Sequence, residues 1–204
     1  HAGKAVTSGS SNTFIGGKVG RSTTTGGNST IVGSQSSYNQ NATCSNTTTL
    51  GSQAGYSITS GSANLAIGYR AMYSTSSGNY NVAIGQQSLY YQNNYYSVAI
   101  GYGSSANSSY SLAGGYNSTT TGAYSIAFGF QNTADGGVAL GGSTIASAYA
   151  FAMGYGSEAS GSYSFASGYQ SKASASYSIA MGNGTTASGI SSTAMGDGTE
   201  ASGE

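Results

Sequence analysis

The sequence predicts an all-β fold, a parallel β-solenoid of about thirteen short coils, and three observations predict it. First, a phrase of small residue, apolar residue, Ala, apolar residue and Gly recurs. It reads Ser97-Val98-Ala99-Ile100-Gly101, Ser125-Ile126-Ala127-Phe128-Gly129 and Ser178-Ile179-Ala180-Met181-Gly182. Second, the phrase alternates with period two, as a strand does, and no helical spacing of apolar residues competes with it. Third, the phrases are separated by clusters of Gly, Ser, Thr and Asn, which are turn material. The chain has 34 Gly and no Pro, which suits tight corners and uninterrupted ladders.

Each copy closes on a glycine: Gly16, Gly33, Gly51, Gly68, Gly85, Gly101, Gly115, Gly129, Gly141, Gly154, Gly168, Gly182 and Gly196. Neighbouring anchors stand 16 to 18 residues apart up to Gly101 and 12 to 14 apart after it. The reading is one repeat domain over 1–204, with long coils in 1–101 and 14-residue coils in 102–204. Fourteen residues allow two strands of about five with two tight turns, and stacked coils at the strand spacing make a rod roughly 60 Å long.

Within the phrase, Val98 and Ile100 point one way, and Ser97, Ala99 and Gly101 the other. The larger apolar residues are expected to fill the coil. The small face, Ala99, Ala113, Ala127, Ala139, Ala152, Ala166, Ala180 and Ala194, is then an expected interface between chains, because small residues let another backbone approach. The competing expectation is that this face is merely solvated.

Two columns of aromatic residues follow the repeat. Tyr96, Tyr110, Tyr124, Tyr149, Tyr163 and Tyr177 precede the phrase; Tyr69, Tyr102, Tyr116, Phe130, Tyr155 and Tyr169 follow its glycine. Identical positions in successive coils should stack as ladders of rings. Such ladders stiffen corners, and where exposed they offer flat apolar contact with a polar tip. A denser patch sits at Tyr90, Tyr91, Tyr95 and Tyr96, where coil length changes.

Charge excludes several functions. Five Lys and Arg balance five Asp and Glu, so no basic stripe for nucleic acid or anionic membrane is expected. No apolar stretch is long enough to span a membrane. His1 is the only imidazole, and Asp135, Glu158, Asp197, Glu200 and Glu204 are the only acids, with Glu158, Asp197 and Glu200 expected in solvated turns. No catalytic constellation, metal site or cofactor is expected, and the chain reads as a non-enzyme. The single Cys44 cannot form an internal disulfide; an inert, partly buried thiol is the expectation, with pairing between chains as the alternative. The chain begins at His1 instead of Met, which reads as a processed chain or an excerpt. Threonine tracts at 23–25, 47–49 and 119–121 do not recur in consecutive coils, so no flat ice-ordering array is expected. The acceptor motifs at Asn28, Asn41, Asn46, Asn107, Asn117 and Asn183 are weak signals in so Asn-, Ser- and Thr-rich a chain.

The phrase Ser-Val-Ala-Ile-Gly at 14-residue spacing, from Tyr96 to Gly203, resembles the head repeats of trimeric autotransporter adhesins, the YadA-like family. The longer copies, Asn64-Leu65-Ala66-Ile67-Gly68 and Asn81-Val82-Ala83-Ile84-Gly85, resemble a long variant found in phage tail-fibre and other surface-fibre proteins. The resemblance implies a left-handed β-roll assembled as a homotrimer, extracellular, on a cell or virion surface. The expected function is an adhesin or fibre module that attaches by multivalent contacts, with itself and a surface glycan or host-surface protein as partners. The alternatives are a self-polymerising filament subunit and a tail-fibre receptor-binding segment.

Overall fold

A computed structural model describes residues 2–4, 6–22, 25–39, 44–91 and 93–203. Of the residues singled out above, His1, Thr23, Thr24, Asn41 and Glu204 lie outside the described residues. The chain divides into two compact units, His1–Tyr110 and Ser111–Glu204. Each is a parallel β-solenoid, and no helix occurs among the described residues.

In the first unit six three-residue strands stack in chain order: β1 (Thr13–Ile15), β2 (Thr30–Val32), β3 (Thr48–Leu50), β4 (Leu65–Ile67), β5 (Val82–Ile84) and β6 (Val98–Ile100). The register keeps equivalent residues together, with Ala66 beside Ala83 and Ala83 beside Ala99. The rest of each long coil is mostly turn among the described residues, and the short β7 (Ser105–Ala106) follows in the 14-residue coil after Gly101. Asparagines tie one coil to the next. The Asn64 amide donates to the Gly78 carbonyl at 2.7 Å, Asn81 N–H donates to Asn64 Oδ1 at 3.0 Å, and Ser97 N–H donates to Asn81 Oδ1 at 2.9 Å. Buried loop backbone is thereby satisfied where no strand partner exists.

The second unit has two sheets. The first holds the five-residue strands β8 (Leu112–Tyr116), β10 (Ile126–Phe130), β12 (Val138–Gly142), β14 (Phe151–Tyr155), β16 (Phe165–Tyr169), β18 (Ile179–Asn183) and β20 (Thr193–Asp197). The second holds the two-residue strands β9 (Thr119–Thr120), β11 (Thr133–Ala134), β13 (Ile145–Ala146), β15 (Glu158–Ala159), β17 (Lys172–Ala173), β19 (Thr186–Ala187) and β21 (Glu200–Ala201). The expected pair of five-residue strands per coil is therefore one of five and one of two, because the corners consume the remaining residues.

The side expected to face outward faces inward. Ala127, Ala139, Ala152, Ala166 and Ala180 are wholly buried and meet Ala134, Ala159, Ala173 and Ala187 of the opposite sheet; Ala146 and Ala194 are nearly so. Ala99 and Ala113 are likewise buried within the chain. The alanine row is thus the core of the coil and not an interface between chains. The physical reason is the narrow interior between the strands. It takes small side chains, Ala together with Ser and Thr such as Thr120 and Thr144, so the bulky apolar residues of the phrase point out. The 16- to 18-residue coils of the first unit bury Ile31, Ile58, Met72 and Leu89 as well.

The closing glycines are fixed by stacking. Gly168 has φ +125°, and a Cβ there would lie 2.0 Å from the Gly182 carbonyl oxygen of the next coil. Only glycine combines that backbone with so close a neighbour.

Candidate functional site

With alanine inside, the residues on either side of it form the outer face of the five-residue strands. In register these are Ile126, Val138, Phe151 and Phe165 in one row, and Phe128, Leu140 and Met153 in the other. Phe151 and Phe165 stack at 5.4 Å. Phe128 is 51% exposed and Met195 59%, so the second unit presents a broad apolar sheet face. The first unit shows the same arrangement at Ile15, Leu50 and Ile100. Isolated exposed apolar residues are ordinary, but a contiguous apolar face marks a contact surface.

The tyrosine ladders form. In the column preceding the phrase, Tyr96 stacks on Tyr110 at 5.1 Å, Tyr149 on Tyr163 at 5.1 Å and Tyr163 on Tyr177 at 5.4 Å. All six tyrosines of this column hold left-handed backbone, φ 55° to 61°, which aims their rings alike at the corner. That backbone is unfavourable for a bulky residue, so the stack has to compensate for it. In the column following the glycine, Tyr116 stacks on Phe130 at 5.3 Å and Tyr155 on Tyr169 at 5.8 Å. Tyr69 instead lies beside the Arg70 guanidinium, 5.0 Å from its carbon. Tyr102 is exposed.

Two features escape a reading of the sequence keyed to the phrase. Tyr80 extends the first column, stacking on Tyr96 at 4.8 Å. A third ladder, Tyr38, Tyr56, Tyr73 and Tyr90, runs half-buried through the first unit at 4.9 to 5.1 Å. Its signal was present, because those tyrosines are 18, 17 and 17 residues apart, the lengths of the coils that carry them. Arg70 lies against Tyr73 as well, 5.2 Å from the ring, while its Nε donates to Gln53 at 2.7 Å.

At the dense patch, Tyr90 meets Tyr91 edge-on at 4.4 Å, and the two line a cavity of about 590 Å³ with Gln87, Gly103, Ser105 and Asn107. Tyr95 and Tyr96 do not line it. Burial pushes the Tyr90 phenol above its usual pKa, the neighbouring Tyr91 adds to the rise, and Arg70 opposes it.

The acids are dispersed. Glu158 and Glu200 lie on second-sheet strands and Asp197 ends β20, so none of the three occupies the solvated turn expected of it. Glu158 is bridged by Lys172, one coil on, at 3.0 Å, and Asp197 accepts from the Asn183 amide at 2.8 Å. Asp135 sits in a turn. Among the described residues no three acids, cysteines or histidines gather as metal ligands. Cys44 is fully buried, its thiol 3.9 Å from the Ile58 carbonyl oxygen, which closes it to a disulfide between chains. Thr47, Thr49 and Thr120 face inward, so these tracts present no flat threonine surface.

The YadA head domain repeat family model matches at residues 93–118, 111–132, 148–170, 159–185 and 187–204. The segment between 132 and 148, which holds Gly141, the anchor shared by the two shortest spacings, lies outside the matches. No curated protein matches the chain. Among the described residues no helix is long and apolar enough to cross a membrane.

Proposed function

The chain belongs, through residues 93–204, to the YadA head repeat family, an adhesin family and not an enzyme family, and from that premise we propose that it is a surface-exposed attachment module working as a trimer. Three copies pack their outer apolar sheet faces together, and the tyrosine ladders remain outside as repeated contact surfaces. Many weak ring contacts on three chains then add up by avidity. The observation that carries this reading is the outward apolar face. Phe128 and Met153 are exposed and Leu140 between them is partly so, and burying them against another copy removes that surface from water. The partner surface in this reading is a glycan or host-surface protein that offers flat faces to stacked rings.

Native mass and negative-stain microscopy of the purified chain test the assembly. Discrete particles of three chains are the expected outcome, and a monomer at micromolar concentration overturns it. Long filaments would replace the attachment module with a polymer subunit. Binding to glycan and cell-surface arrays tests attachment, with Tyr163→Ser and Tyr177→Ser together expected to weaken it while leaving the native mass unchanged.

A further inference from the structure

The first tyrosine column has a missing rung in the second unit. Tyr124, Tyr149, Tyr163 and Tyr177 each stand two residues before a strand of the first sheet. Between Tyr124 and Tyr149 that position, two residues before β12, is Gly136. The turn from Ala134 to Val138 is two residues shorter than its equivalent from Ala173 to Ile179. The strands remain in register through the gap, with Ile126 beside Val138 and Val138 beside Phe151. Gly136 keeps the left-handed backbone of the column, φ 74°, but carries no ring.

A slot follows. Tyr124 and Tyr149 stand two strand spacings apart, roughly 9.6 Å. A cavity of about 470 Å³ opens between them, lined by Ala123, Tyr124, Asp135, Gly136, Ala148 and Tyr149. The two rings are 76% and 71% exposed, against 55% and 59% for Tyr163 and Tyr177. The column following the glycine also skips a ring, at Gly142, but there Tyr155 leans across, with Cδ2 2.9 Å from where a Cβ would sit. At Gly136 the nearest atom to such a Cβ is Ala148 Cα at 3.5 Å, so the gap remains open.

The dimensions and charge select the occupant. A flat group midway would lie roughly 4.8 Å from each ring, within stacking range. Asp135 adds a carboxylate at the slot, and among the described residues no cation pairs with it. A group that is flat, cationic and rich in donors is a guanidinium; an ammonium is not flat, and a neutral ring leaves the carboxylate unused. The chain already pairs these groups, since Arg70 lies 5.0 and 5.2 Å from two tyrosine rings and Arg21 lies 5.4 Å from Tyr38.

We infer that the gap between Tyr124 and Tyr149 binds an arginine side chain of a partner protein, stacked between the two rings and hydrogen-bonded to Asp135. The inference rests on the ladder being a contact surface, as proposed above.

The test titrates the full chain with acetyl-Gly-Arg-Gly-amide and follows the arginine side-chain protons by NMR, where two flanking rings shift them upfield. Citrulline and lysine versions of the peptide are expected to bind about fivefold more weakly or worse, and Asp135→Asn to weaken the arginine peptide by about fivefold. Gly136→Tyr completes the ladder in a backbone its neighbours already adopt, and is expected to abolish binding in a chain that still folds. No upfield shift at about 10 mM arginine peptide, equal binding of citrulline, or undiminished binding in folded Gly136→Tyr overturns the inference. The two readings fail separately. A chain that attaches to surfaces but ignores the peptide overturns the slot alone; one that takes the peptide but attaches to nothing overturns the ladder reading alone.

Discussion

Gly168 and Gly184 separate two reasons for glycine that sequence alone does not distinguish. Both have positive φ, but a Cβ at Gly168 meets the next coil at 2.0 Å, whereas one at Gly184 meets nothing within 4 Å. Gly168→Ala should therefore cost about 3 kcal/mol or more, from backbone strain and a forced separation of coils together. Gly184→Ala should cost only the backbone part, about 1 kcal/mol. Thermal melts of the two variants check this, and equal losses would show that stacking distance is not what fixes the anchor glycines. Ala166 makes the complementary point. It is buried between two sheets, so Ala166→Leu should melt the coil that carries it and expose backbone amides to hydrogen exchange, an effect inside one chain that needs no change in assembly.

The alternation and the closing glycines are legible in the sequence, because a stacked repeat must place equivalent residues in line. Which side of the strand faces inward was not legible from alternation, since period two gives two faces without labelling them. The recurring small residue carries that label: Ala83 and Ala127 face inward in long and short coils alike, and the longer coils add room outside the strands, where Ile58 and Met72 are buried. The ladders were legible where coils keep one length. Tyr38, Tyr56, Tyr73 and Tyr90 are harder to read because they lie in turns, away from the strand phrase. Tyr163 tests what a ladder contributes. It stacks on both sides, at 5.1 and 5.4 Å, in left-handed backbone that asparagine also tolerates. Tyr163→Asn removes both stacks while retaining the backbone, and the expected loss is about 1 to 2 kcal/mol by thermal melt. A smaller loss would assign the rings to contact with partners instead of to corner stiffness.

At the scale of the whole molecule, ten charged residues among 204 leave little electrostatic force for holding copies apart or together. The proposed association through the outer sheet face would then be governed by apolar burial, and its dependence on solution conditions follows. Sodium chloride between 50 mM and 500 mM should change the dissociation constant of the proposed trimer by less than about threefold, since few charges are available to screen. Sulfate should tighten assembly, because it strengthens the burial of apolar surface. Met153 provides the local test. It lies between Leu140 and Ser167 on the outer face, exposed in the single chain, so Met153→Glu leaves the alanine core untouched and the melting behaviour of the isolated coil little changed. In an assembled face the same carboxylate would be buried without a partner, and the dissociation constant should rise by a hundredfold or more, about 3 kcal/mol. Analytical ultracentrifugation reads both effects. A Met153→Glu chain that sediments as the wild type does would place the interface elsewhere, and strong weakening by sodium chloride would replace apolar burial with the few charges as the source of assembly.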